Sequence, residues 1–230
     1  MVLVSMRDDA VRQLFRVQGP LLGLIAVMFG IFLFQEVRGI EWYFRYMAVP
    51  AMITESWQNL RSGIAGMGDF KTLGTLLSCA FLHATAEHIV YNMLFLWIFA
   101  ALVVELLGAR WMFGIFFVTA ITGSILHVVL NAGEFGPMLG ASGAVMGFEG
   151  AYLGLATRWH LPQPHIWPMS RPVPAGQLAL LGVVGVGFDY ISLMSHSPEN
   201  IAFGAHIGGF IGGLVLTALA APKPHGAYHR

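Results

Sequence analysis

The chain has 230 residues, of which 57% are hydrophobic and only 10% charged; its mean hydropathy is +0.70. Soluble domains carry about 25% charged residues, and twelve Lys+Arg with twelve Asp+Glu cannot cover a water-soluble globule of this size. The composition is that of an integral membrane protein. A formal net charge of zero leaves no basic stripe for nucleic acid, and a single cysteine excludes an intrachain disulfide framework.

A membrane-crossing helix needs roughly 20 mostly apolar residues. Residues 1–19 read as a cytoplasmic segment: Arg7, Arg12 and Arg16 are mixed with Asp8 and Asp9. The first apolar run, Pro20–Val37, is too long for a signal-peptide core and lacks a small-residue cleavage site, so it is expected as a retained span. Further spans are expected at about Thr75–Val103, Ala109–Asn131, Ser142–Thr157, Gln177–Ser195 and Phe203–Ala221. None alternates apolar and polar residues as barrel strands do. The expected fold is therefore all-α: a polytopic membrane bundle of six transmembrane helices, one domain over 1–230, with its core at 20–221 and a tail at 222–230.

The largest extramembrane piece is the loop at about Arg38–Gly74. It opens with Glu41, Trp42, Tyr43, Phe44, Arg45 and Tyr46, a mixture of aromatics and charges that favours the headgroup region. The Pro-rich stretch Leu161–Pro174 reads as a cytoplasmic linker. Six spans put both termini on one side, with Arg7, Arg12, Arg16, Arg110, Arg158, Arg171, Lys223 and Arg230; the other side holds Arg38, Arg45, Arg61 and Lys71. This bias places both termini in the cytoplasm, and the short chain suggests a bacterial inner membrane.

Polar groups inside a span are expensive and mark function or helix contact. Span two carries His83, Glu87, His88 and Asn92; span three carries His127; span four opens with Ser142 and contains Glu149; span five contains Asp189; span six opens with His206. Span order puts His88, Asn92, Ser142 and His206 at similar depth, toward the outer side. His206, Gly209 and Gly213 share one helix face, with Gly204, Gly208 and Gly212 beside it. Gly143, Gly147, Gly150 and Gly154 make a matching stripe on span four. Such small-residue rows let two backbones nearly touch, which would bring Ser142 within reach of an imidazole.

Serine becomes a competent nucleophile when a neighbouring histidine takes its proton. Acyl transfer also needs donors for the developing oxyanion. A helix start at Ser142 offers backbone N–H groups, and His88 and Asn92, at i and i+4, can project together as further donors. No carboxylate is obviously placed to orient His206, so a dyad is expected rather than a triad. Isolated, Ser142 would read as a helix-start cap, His206 as a buried hydrogen-bonded histidine and Asn92 as interhelical glue. Their shared depth favours a site.

Three segments stand together: His83–Asn92 with its HxxxxHxxxN spacing, Gly140-Ala141-Ser142-Gly143, and Ala205-His206 followed by Gly209 and Gly213. The chain from span two to span six resembles the rhomboid family of intramembrane serine proteases. The resemblance implies a six-helix core, Ser142 as nucleophile, His206 as general base, and His88 and Asn92 as oxyanion-hole side chains. It also implies a structural His83, an acidic Glu105 tying helices on the inner side, transmembrane protein substrates cut near the outer face, and no metal or cofactor. The sequence departs from the family at Phe70-Lys71, where the first loop often carries Trp-Arg, and at Met146, where an aromatic often stacks on the catalytic histidine. A methionine can still pack on a ring through its sulfur. Among rival functions, a haem protein would need a gap where the glycine rows predict contact, and a transporter would need an internal repeat. The remaining alternative is a non-catalytic rhomboid-like membrane chaperone or binding protein.

Overall fold

The computed structural model describes residues 2–162, 174–194 and 202–229, with side chains left aside at residues 2–14 and at some positions of 175–194. The linker at 163–173 and the side chain of Asp189 lie outside the described residues. The first helix, α1 (Val2–Arg38), is followed by the short α2 (Ile40–Tyr43) and a 3-10 turn at Phe44–Tyr46. Helices α3 (Pro50–Arg61) and α4 (Met67–Ser78) form a hairpin. Then come α5 (Ala86–Leu107), α6 (Ala109–Leu130), α7 (Ser142–Arg158), α8 (Ala175–Met194) and α9 (Phe203–Ala220). Two-residue strands β1 (Trp159–His160) and β2 (Tyr228–His229) pair antiparallel.

Among the described residues, four helical stretches are long and apolar enough to cross a membrane: Phe15–Arg38, Ala86–Leu107, Ala109–Leu130 and Phe203–Ala220. With 17 residues, α7 is slightly shorter, and α8 has 20; these two occupy the positions expected for spans four and five. The edges of α6, α7 and α9 fall within a residue of the expected ones.

Span two is different. The chain does not run as one helix from Thr75 to Val103; α4 ends at Ser78, a 3-10 turn covers Cys79–Phe81, and α5 starts only at Ala86. Local polar groups make the break. Ser78 Oγ donates to Tyr46 O at 2.9 Å, and Thr85 caps α5 by accepting from His88 N at 3.1 Å. His83 therefore precedes the span. The expected outer loop is likewise largely helical, as α3 and α4.

Apolar packing centres on α7, which touches α5, α6, α8 and α9. Its Phe148, Tyr152 and Leu155 are fully buried. The two glycine rows of α9 serve different neighbours. A Cβ at Gly209 would collide with Gly143 O of α7, and one at Gly213 with Gly147 O; Gly208 and Gly212 instead abut Thr122 of α6. Hydroxyls close the same seams. Thr217 Oγ1 donates to Ala151 O at 3.0 Å, and Thr122 Oγ1 to Gly208 O at 3.0 Å. Gly108 turns α5 into α6 at φ 82°, a backbone conformation costly to residues with a Cβ. The hairpin α3–α4 rests on α6, whereas α8 rests on α7 and α9.

Candidate active site

Ser142 is the first residue of α7, and His206 lies in the first turn of α9. The glycine seam draws those two helix starts together, and His206 Nε2 lies 2.8 Å from Ser142 Oγ. That is hydrogen-bond distance for a hydroxyl donating to an imidazole nitrogen. The first N–H groups of α7 have no acceptor inside the helix, and its amino end favours negative charge.

His88 approaches from α5. The Cβ that Gly140 lacks would sit 2.9 Å from His88 Nε2 and 3.9 Å from Ser142 Oγ. Gly140 thus has two reasons to be glycine: its φ of +125° and the imidazole against its Cα. His88 Nδ1 accepts from Ala84 N at 3.4 Å. An accepting Nδ1 leaves the ring proton on Nε2, the nitrogen facing the Gly140–Ser142 segment. Asn92 is one turn further along and buried; its Nδ2 donates to His88 O at 2.9 Å. Ser142, His206 and His88 therefore gather around the start of α7, while Asn92 is braced against the His88 backbone on α5.

A cavity of about 10 Å³ borders Ser142, Ser124, Gly140 and Ala205, room for about one water. Cys79 Sγ and Ser124 Oγ are 3.4 Å apart at its margin. The His83 ring is buried, edge-on to His88 with centroids 5.2 Å apart. His127 sits where α6 meets α9: a Cβ on Gly204 would lie 2.8 Å from its Cα. Glu87 is exposed and Glu149 buried. Met146 is directed at α8, its Cε 3.5 Å from the Cβ position of Gly185.

Two residues that sequence reasoning did not single out tie α1 to this frame. Gln35 makes a two-point clamp on the backbone of His83: Nε2 donates to His83 O and Oε1 accepts from His83 N, both at 3.2 Å. At the opposite end of the bundle, Gln18 Nε2 donates to Glu105 Oε1 at 2.7 Å, so Glu105 does join two helices. Both glutamines are 1% exposed. The signal was present, since they are amides in and beside an otherwise apolar run, but the backbone partner of Gln35 at His83 has no sequence signature.

A family profile described as the Rhomboid domain matches residues 71–223. The chain belongs to the rhomboid family. It is 29% identical over 171 residues to Rhomboid protein 1, mitochondrial, of Saccharomyces cerevisiae, covering 67% of this chain and 48% of that one. It is 30% identical over 151 residues to Rhomboid protease GluP of Bacillus subtilis, covering 64% and 26%. To Rhomboid protease GlpG of Pectobacterium atrosepticum it is 24% identical over 208 residues, covering 86% and 62%. The chain thus spans less than two thirds of the length of each of these rhomboid relatives. Membrane-capable helices and family membership together make it an integral membrane protein of rhomboid type.

Proposed function

We propose that this rhomboid protein is an intramembrane serine endopeptidase that cuts transmembrane segments of membrane proteins near the outer face. The observation that carries the reading is the 2.8 Å approach of His206 Nε2 to Ser142 Oγ at the start of α7. Ser142 Oγ attacks the peptide carbonyl carbon while its proton passes to His206 Nε2. The carbonyl oxygen becomes an oxyanion, held by His88 Nε2–H, by the Ser142 N–H and by the free N–H of Asn92 Nδ2. His206 then gives its proton to the leaving amine as the C–N bond breaks. Water, deprotonated by His206, hydrolyses the resulting ester and regenerates Ser142. Placing two polar side chains at a helix start in an apolar bundle is costly, and the reaction gives that placement a use. The relatives named as proteases support the same reading.

The proposed location is a bacterial inner membrane; the eight-to-four distribution of cations supports placing both termini in the cytoplasm. A fluorophosphonate probe tests the nucleophile directly. Wild type is expected to be labelled covalently at Ser142, with labelling abolished in Ser142→Ala and slowed at least about 10²-fold in His206→Ala. Folded wild-type protein that takes no label, or takes it elsewhere, would instead favour the non-catalytic chaperone reading.

A further inference from the structure

The α3–α4 hairpin contains a second cavity, of about 300 Å³, walled by the 3-10 turn at Phe44–Tyr46 and by α3 and α4. None of these elements carries Ser142, His206 or His88. Small-molecule sites start at about this size. The apolar walls are Phe44, Met47, Val49 and Met52, and two cations, Arg45 and Lys71, share the lining with Thr72.

The cations are available. Arg45 uses Nε to donate to Trp42 O at 3.1 Å, which steers the guanidinium and leaves its remaining donors. Lys71 makes no hydrogen bond among the described residues. The nearest acidic side chain in sequence, Asp69, is occupied elsewhere: it accepts from Asn59 Nδ2 at 3.0 Å and from Gly66 N at 2.8 Å. Positive charge is disfavoured in the outer loops of a protein oriented this way. Even so, two of the four outer cations converge on one cavity.

The surroundings decide what kind of molecule fits. Around the hairpin, Trp57, Ile64, Met67 and Phe70 are 53–73% exposed, more apolar surface than a water-facing hairpin tolerates. This piece therefore sits at the lipid interface. A guanidinium fork with a neighbouring ammonium matches a phosphate, while Phe44, Met47, Val49 and Met52 match the glycerol and upper acyl region that a free phosphate lacks. A zwitterionic headgroup would bring its own cation against Arg45 and Lys71.

We propose that this cavity binds the headgroup of an anionic phospholipid, with Arg45 and Lys71 on the phosphate and the four apolar residues on the glycerol and acyl stem. The proposal is independent of whether the protein cleaves peptides. The test is native mass spectrometry of the full chain released from detergent with phosphatidylglycerol or phosphatidylcholine of identical acyl chains, and with glycerol phosphate alone. Phosphatidylglycerol is expected to remain bound at concentrations at least tenfold below phosphatidylcholine, and glycerol phosphate not at all. The double variant Arg45→Gln/Lys71→Gln is expected to lower phosphatidylglycerol retention to the phosphatidylcholine level. Arg61→Gln, which removes an outer cation that does not line the cavity, is expected to leave retention unchanged. Met52→Trp fills the cavity without touching charge and is expected to reduce retention as well; Met52 is 44% exposed, so this variant keeps the test valid if the double variant melts early. Equal retention of the two lipids, or phosphatidylglycerol retention unaltered by Met52→Trp, would overturn the proposal. So would a loss in Arg61→Gln as large as in the double variant.

Discussion

His88 owes its orientation to backbone atoms two steps removed from α1. Gln35 holds both polar backbone atoms of His83, the next residue, Ala84, donates to His88 Nδ1, and the proton is thereby left on Nε2. Gln35→Ala strands a buried N–H and C=O, and is expected to cost about 1–3 kcal/mol, read as a lower melting temperature in detergent. On the proposed mechanism it also lowers kcat more than it raises KM, with Gln35→Glu, which keeps the acceptor, falling between. Wild-type melting and turnover in Gln35→Ala would disprove the link. His88→Ala itself is expected to reduce cleavage about 10²–10³-fold, the usual loss for one oxyanion donor, with KM little changed. At the same scale, hydrogen bonds from Asn59 and from Gly66 N hold the Asp69 carboxyl below its ordinary pKa. A lowered folded-state pKa means that the contribution is complete above the ordinary carboxylate range and is lost as pH falls through the lowered value. Asn59→Ala removes the largest cause, so acid loosening of the hairpin, followed by the fluorescence of the nearby Trp57, is expected at a higher pH than in wild type. The Ser142–His206 pair was legible from spacing and depth alone. The Gln35 clamp was not, because a side chain bonded to a distant backbone leaves no periodic mark on the sequence.

Among the helices, the α7–α9 seam is the contact that makes the candidate site. At Gly209 the obstacle to a side chain is Gly143 O, a backbone atom that cannot swing away. Gly209→Val is therefore expected to destabilise by at least the 1–3 kcal/mol typical of overpacking and to separate Ser142 from His206. Gly68 in α4 meets nothing within 4 Å, so Gly68→Ala is expected to be neutral or to stabilise by up to about 1 kcal/mol. Equal melting of the two variants would contradict the seam. This geometry was readable in advance, because rows of glycine at helical spacing have few other uses. The break between α4 and α5 was not. The residues from Thr75 to Leu82 are nearly as apolar as a span, and the groups that end the helix there, Ser78 on Tyr46 and Thr85 on His88, act through contacts rather than composition. Helices α3 and α4 were hidden for the converse reason, since their mixed polarity reads as loop.

At the level of the whole molecule, the central α7 is held by a frame and a tie, which on the proposed orientation lie on the outer and inner sides. The outer frame is α1 clamped to His83 and the α3–α4 hairpin on α6. The inner tie is the carboxyl-terminal segment. There β2 pairs with β1, His225 N donates to Leu106 O at 2.9 Å, and Arg158 Nη1 donates to Ala221 O at 3.0 Å. On the proposed function, this frame holds a working Ser–His pair within the bilayer. The most direct test of that function is cleavage of a reporter transmembrane substrate in liposomes by wild type, Ser142→Ala and His206→Ala, each confirmed folded by its melting curve. Cleavage by wild type is expected, with a loss of at least about 10³-fold in either variant. Cleavage persisting at the wild-type rate in Ser142→Ala or His206→Ala would contradict the proposed function.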